Sequence, residues 1–124
     1  MVRGQVLLGR LRREMGELEA ARKLLSTACR QDPDFIFAWL ERIRVETQAG
    51  SWTAAGLLLT EAEGRFGVLQ PQLLREALLI KTKTRQLPAA LEAARELVRI
   101  CPQWREIRDL RDQLEHLLNS AGKA

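Results

Sequence analysis

The amino-acid sequence predicts an all-α fold in which three antiparallel helical hairpins form a solenoid and a seventh helix caps it. The first observation behind this prediction is a period, because Ala21, Ala55 and Ala90 are separated by 34 and then 35 residues. The second is composition: aromatic residues make up 5% of the chain, and Val, Ile and Thr never form an alternating run. Strands depend on such residues, so helices are favoured. The repeated set is Gly16, Leu18, Ala21, Leu25, Ala28, Asp32 and Pro33, then Gly50, Trp52, Ala55, Leu59 and Ala62, then Leu87, Ala90, Ala94, Leu97 and Pro102.

Each repeat consists of two predicted helices joined by a tight turn. In the first repeat, residues 2–34, Gly16 can adopt the positive φ that ends a helix, and Pro33 disfavours helical geometry at the residue before it. Ser51 is placed to cap the second helix of the second repeat, residues 35–70, and Pro88 falls in a first turn of the third, residues 71–102. The predicted helices span residues 2–14, 18–30, 35–49, 52–65, 72–84, 87–100 and 104–119.

The last predicted helix, 104–119, has the pattern of a terminal cap. Its leucines form one stripe, while charged residues cover the rest of its surface and would shield the last hairpin from water. Residues 120–124 are expected to form a flexible tail. We therefore expect one domain over residues 1–120.

Composition and charge limit the function. With 20 Lys and Arg against 16 Asp and Glu, the net charge is +4, which mildly favours acidic partners. No apolar run approaches the length of a membrane span, and the first residues lack the apolar region of a signal peptide. Cys29 and Cys101 are far apart and are expected to be buried or half-buried thiols in a reducing compartment. A cytoplasmic location is expected.

The order of Leu8-Gly9, Gly16, Ala21, Ala28 and Asp32-Pro33 resembles the tetratricopeptide repeat, and the second unit adds Trp39, Gly50 and Ala55 at matching positions. Small residues at these positions let two helices cross closely. The resemblance covers residues 2–102. It implies a right-handed solenoid whose first helices line a concave groove, and it implies a protein–protein interaction scaffold. Trp39 is then expected to be wedged between the helices of its hairpin.

Three residues that depart from the family pattern suggest ion pairs between repeats. Arg12, Glu46 and Lys81 replace the family's usual aromatic residue and alternate in sign along the repeats. They could form a ladder of ion pairs between repeats, or they could be independently solvated side chains. Trp39, Glu46 and Ala55 also resemble the half-a-tetratricopeptide variant found in RNA-processing scaffolds.

The predicted partner-binding surface combines positive charge with apolar anchors. In the architecture that the resemblance implies, the arginines could grip carboxylates and the apolar side chains could supply contact area. The expected groove would bind an extended or helical acidic segment of another protein. Glu41 and Glu76 would repel a carboxylate, so the family's role of gripping the C-terminus of heat-shock chaperones is disfavoured. The predicted site residues are Arg3, Val6, Arg10, Arg13, Phe37, Leu40, Arg44, Arg75, Leu79 and Lys83.

The sequence offers few residues for catalysis. His116 is the single histidine, no second histidine or cysteine pair completes a zinc set, and no Gly-rich phosphate loop is present. We therefore expect no enzyme activity, metal or cofactor. An RNA-binding scaffold is the first alternative, although Phe37 is the only aromatic residue expected in the groove and nucleic acid is therefore disfavoured. Homo-oligomerisation through the cap helix or residues 66–69 is the second alternative.

Overall fold

The computed structural model describes residues 1–122 of the chain. The chain forms two compact units, one from Met1 to Val68 and the other beginning at Leu69. Every regular element in the described part is an α-helix, so the prediction of an all-α helical-repeat fold is confirmed. The single domain over residues 1–120 stays a prediction.

The first unit contains four helices that pack in chain order. α1 packs on α2, α2 on α3 and α3 on α4, and α1 also contacts α3. This is the pattern of two successive helical hairpins. The helices are α1 (Val2–Glu14), α2 (Leu18–Gln31), α3 (Ile36–Ala49) and α4 (Trp52–Phe66).

The second unit contains the third hairpin and the last helix. α5 packs on α6, and α6 packs on α7. α7 continues to Gly122, beyond the predicted end at residue 119, so residues 120–122 are helical rather than part of a tail. Lys123 and Ala124, the rest of that predicted tail, lie outside the described residues. The helices are α5 (Pro71–Lys83), α6 (Leu87–Ile100) and α7 (Arg105–Gly122).

The residues that keep the period form the core. Ala21, Ala55 and Ala90 have no exposed surface, and the positions four and seven residues after each of them are at most 2% exposed. A helix buries positions at this spacing on one face. The period therefore records the same buried face in three successive hairpins.

The turn inside each hairpin has the same geometry three times. Gly16, Gly50 and Arg85 have φ values of 81°, 76° and 62°, all in the left-handed region. In each turn, the backbone N–H of the following residue (Glu17, Ser51 or Gln86) donates a hydrogen bond to the carbonyl oxygen five residues before that residue, over 2.8–2.9 Å. This bond satisfies a carbonyl that the helix end would leave without a partner. The sequence predicted the positive φ at Gly16, but not at Arg85, where glycine is replaced.

Close helix packing depends on Gly9. A Cβ atom added at Gly9 would lie 2.7 Å from both Cγ and Cδ2 of Leu25, and Leu25 is fully buried. Trp39 is 6% exposed, and its Nε1 donates a hydrogen bond to the carbonyl oxygen of Pro33 over 2.9 Å. Gly9 thus has the packing role that the sequence predicted, and Trp39 is buried, while its wedged position between the helices of its hairpin stays a prediction.

Two smaller predictions had different outcomes. Ser51 is the N-cap residue of α4, but its side chain makes no capping hydrogen bond, so that prediction was wrong. Cys29 is buried and Cys101 half-buried, and both are free thiols. Burial raises the pKa of the Cys29 thiol above its ordinary value, and the charge of Arg42 opposes this rise.

Candidate functional site

A pocket of about 350 Å³ opens between α1 and the start of α3 in the first unit. Its floor is mostly apolar, because valine, leucine and two phenylalanines contribute to it. A mostly apolar pocket with a few polar groups is typical of a binding site. The lining residues are Arg3, Val6, Leu7, Arg10, Phe35, Phe37 and Glu41. The structure thus brings together four of the predicted site residues: Arg3, Val6, Arg10 and Phe37.

An aromatic pair forms one wall of this pocket. The ring centroids of Phe35 and Phe37 lie 5.7 Å apart, with the rings inclined at 64° in an edge-to-face arrangement. The guanidinium carbon of Arg3 lies 5.6 Å from the Phe35 ring centroid, within the range of a cation–π contact. Phe37 is 47% exposed and therefore available to a partner. The prediction that Phe37 stands alone was wrong, because Phe35 is the N-cap residue of α3 and its ring lies beside Phe37.

Glu41 changes the electrostatics that the sequence suggested. The residue is 4% exposed, and its carboxylate accepts hydrogen bonds from Arg13 Nε over 3.1 Å and from Arg44 Nη1 over 2.9 Å. Arg13 also donates to the side-chain oxygen of Gln48. A buried carboxylate needs such partners, since an unpaired one would be costly. Arg13 and Arg44 therefore hold Glu41 in place, and we had expected them to face a partner.

The remaining predicted residues of the first unit differ in accessibility. Arg10 is exposed and pairs with Glu14 through Nε and Oε1 at 3.1 Å. Val6 is 5% exposed and contributes to the pocket floor. Leu40 is 1% exposed and belongs to the core, so it cannot supply the contact area that we expected. Its position on α3 satisfied the spacing of the inner face, and spacing alone does not distinguish the edge of a face from the core.

The predicted residues of the second unit lie on α5. The guanidinium carbon of Arg75 lies 5.0 Å from the ring centroid of Trp104. Leu79 is 41% exposed. Lys83 lines a pocket of about 420 Å³ with Arg85 and three leucines of α7. The stacking of Arg75 on Trp104 ties the start of α5 to the segment just before α7, and the sequence contained no signal for it.

Arg12 and Glu46, two members of the hypothesised ion-pair ladder with Lys81, each form an ion pair with a residue outside the ladder. Arg12 pairs with Glu17 over 2.6 Å, in the turn after α1. Glu46 pairs with Arg22 over 2.8 Å, and its side chain is 12% exposed. Arg22 also pairs with Glu19. The ion-pair partner of Glu46 therefore lies on α2, and the hypothesis of a pair between Arg12 and Glu46 was wrong.

Within residues 1–122, no cluster of three or more His, Cys, Asp or Glu side chains could hold a metal ion. Among the helices described, none is both long and apolar enough to cross a membrane.

The polar side chains of the 350 Å³ pocket are two arginines and a glutamate that is already paired with two further arginines. Such groups can bind and orient a charged partner.

Comparison with known proteins supports the repeat interpretation. Residues 2–45 match the sequence profile of the tetratricopeptide repeat. The fold is similar to the crystal structure of the type III secretion translocator chaperone SycD from Yersinia enterocolitica, described as an alternative dimer, with a TM-score of 0.78. The two chains share 14% sequence identity, and the alignment covers 99% of this chain and 95% of that one. No curated protein sequence matches this chain.

Proposed function

Since the match over residues 2–45 and the shared fold support a tetratricopeptide-type family for this chain, we propose that it is a non-catalytic scaffold. Its partner is an acidic or amphipathic segment of another protein. The segment binds first at the pocket between α1 and α3, with an apolar side chain inserted and carboxylates beside it. We propose a protein partner rather than a small molecule. The Yersinia protein of similar fold is described as a chaperone, which supports a protein partner.

The observation that carries this proposal is the exposed aromatic wall of the pocket. Phe37 is 47% exposed and meets Phe35 edge to face, so a large apolar side chain from a partner would gain contact with two rings. Partly exposed aromatic residues over a pocket are typical hot spots in protein interfaces. Since Val6 and Leu7 complete the floor, the pocket selects for an aliphatic or aromatic anchor.

The charges around the pocket favour an acidic segment. Arg3 and Arg10 line the pocket, and both are exposed. Among the described residues that line it, Glu41 is the one carboxylate, and it presents little negative charge because Arg13 and Arg44 already bind it. A carboxylate placed beside the anchor could therefore meet arginine without strong repulsion. In the second unit, Arg75, Leu79 and Lys83 of α5 remain proposed contact residues for a partner.

A peptide-display selection tests this proposal without knowledge of the natural partner. A library of random peptides is selected for binding to the whole chain, and the affinities of the enriched peptides are then measured by fluorescence anisotropy. We expect enriched peptides to contain a large apolar residue flanked by Asp or Glu. The substitution Phe37→Ala should weaken them at least tenfold, as the loss of a hot spot does.

The matched control is Leu57→Ala on α4. Leu57 is 64% exposed but does not line the pocket, so its loss should change peptide affinity less than twofold. Peptides that bind Phe37→Ala as tightly as the unchanged chain would show that the pocket is not the site. Enrichment of basic peptides would contradict the proposed acidic partner.

A further inference from the structure

The outer face of α1 carries a second apolar surface, which adjoins the pocket floor at Leu7. We call it the outer stripe and define it by four side chains: Leu7, Leu8, Leu11 and Met15. They are 66%, 40%, 51% and 59% exposed, respectively. Leu7 lies at the border with the pocket, and the other three point away from it at spacings of three and four residues.

The outer stripe lies opposite the face by which α1 joins the core. α1 buries Val6 and Gly9. In a helix, Leu8, Leu11 and Met15 lie on the other side from these two residues. A helix that is apolar on both faces normally buries both, and contiguous exposed apolar surface marks an interaction site.

We propose that the occupant of the outer stripe is the outer stripe of a second copy of this chain. The two α1 helices pack antiparallel across a two-fold axis near Leu11. Leu11 then meets its counterpart, while Leu8 of one copy packs near Met15 of the other. A two-fold axis requires such a self-complementary surface.

The charges beside the outer stripe support this arrangement. Arg10 and Glu14 lie along one edge of it, both about half exposed, and form an ion pair within the chain. In an antiparallel pair centred near Leu11, the same edge of each copy faces the other. Arg10 of one copy then lies within reach of Glu14 of the other, so each arginine is shared by two carboxylates. A purely acidic helix in the same place would meet repulsion from Glu14.

The size of the outer stripe fits a modest dimer. Pairing two such helices would bury on the order of 1,000 Å² in total, near the lower limit of specific interfaces. Interfaces of this size are typical of weak, transient complexes, so we expect a reversible dimer. Leu8, Leu11 and Met15 do not line the pocket, so the dimer can be tested apart from the proposed peptide-binding function, although Leu7 and Arg10 belong to both surfaces.

Sedimentation velocity of the whole chain at increasing concentration provides the first test. We expect a monomer–dimer equilibrium that Leu11→Glu weakens at least tenfold, because it places a carboxylate on the two-fold axis. Leu57→Glu is the matched control, since Leu57 is similarly exposed on another helix of the same unit. A chain that stays monomeric up to several hundred micromolar, or loses its dimer equally in both variants, would overturn the proposal.

Charge reversal at the edge of the outer stripe tests the antiparallel arrangement. Arg10→Glu alone sets two carboxylates opposite each other across the interface, and Glu14→Arg alone sets two guanidinium groups opposite each other. Each variant should be mostly monomeric. A mixture of the two should form a heterodimer, because every facing pair then has opposite charges. Absence of heterodimer in the mixture, with circular dichroism showing both variants folded, would refute this pairing.

Discussion

Gly9 illustrates how one residue determines the distance between two helices. It lies on α1 against Leu25 of α2, and a Cβ atom there would approach two Leu25 carbons to 2.7 Å. Leu25 is fully buried and has little freedom to move. The general gain in helix propensity from glycine to alanine, about 1 kcal/mol, therefore competes with a steric conflict.

We predict that Gly9→Ala lowers the free energy of unfolding by about 1–2 kcal/mol, because overpacking outweighs helix propensity. Urea denaturation at a constant protein concentration measures this change. Gly64→Ala is the matched control, since an added Cβ at Gly64 on α4 meets nothing within 4 Å. That control should stabilise the chain, by up to about 1 kcal/mol. Equal stability of the two variants would mean that the contact with Leu25 relaxes at no cost.

Glu46 is a second residue whose surroundings determine the effect of substitution. It is 9% exposed and accepts hydrogen bonds from Arg22 Nε at 2.9 and 3.3 Å. The hydrogen bond to Glu46 is the largest cause of the raised pKa of the Arg22 guanidinium. The pair therefore links α2 to α3 from a mostly buried position.

We predict that Glu46→Gln lowers the free energy of unfolding by about 1–3 kcal/mol. The value is below that of a fully buried pair, since the Arg22 side chain is 33% exposed and partly screened by solvent. Asp34→Asn breaks the pair with Arg65, in which the Asp34 side chain is 82% exposed. This control should change stability by less than about 0.5 kcal/mol. The same small change for both variants on chemical denaturation would show that burial adds nothing to the pair of Glu46 with Arg22.

At the scale of the element, the three hairpin turns use one backbone geometry with different residues. Gly16 and Gly50 adopt their positive φ without strain, whereas Arg85 carries a Cβ atom at a φ of 62°. An ordinary residue in the left-handed region costs roughly 1–2 kcal/mol. The backbone of the third turn is therefore strained at Arg85, and the turn forms the same hydrogen bond as the other two.

We predict that Arg85→Gly raises the free energy of unfolding by about 0.5–1 kcal/mol. The relief of strain exceeds the entropy that a glycine loses on folding. Gly50→Ala should have the opposite sign and a similar size, because an added Cβ meets no atom within 4 Å and only the conformation is affected. Thermal denaturation of the two variants compares them directly. A destabilising Arg85→Gly would show that the arginine side chain contributes more than its backbone costs.

The helices were largely predictable from the sequence, and the pairing of side chains was not. α1 and α6 have the predicted ends, and the other helices differ by a few residues, because spacing and Gly or Pro signals act locally along the chain. Glu41 was predicted to repel a carboxylate, but it lies buried between Arg13 and Arg44. The pair with Arg13 joins residues 28 positions apart, and helical spacing carries no information on such pairs.

At the scale of the whole molecule, the net charge of +4 overstates the positive charge that is available to a partner, because several arginines are paired with carboxylates of the same chain. Arg10, Arg12, Arg13 and Arg22 all form ion pairs with carboxylates within the first unit. An arginine that already has a carboxylate partner neutralises a phosphate less well, so fewer of the counterions condensed on the nucleic acid are released. Nucleic-acid affinity depends on such release, whereas a peptide anchored at Phe37 depends more on apolar burial.

We therefore predict weak, salt-sensitive binding of single-stranded RNA. Fluorescence anisotropy with a labelled oligouridine of about 20 nucleotides should show binding that is lost by about 0.2 M salt, since the free energy gained from counterion release falls as the salt concentration rises. A peptide from the display selection, measured in parallel, should lose less than tenfold over the same range. RNA binding that survives 0.2 M salt and is lost in Phe37→Ala would instead show base stacking on the aromatic wall, and the RNA-binding alternative would replace the peptide scaffold.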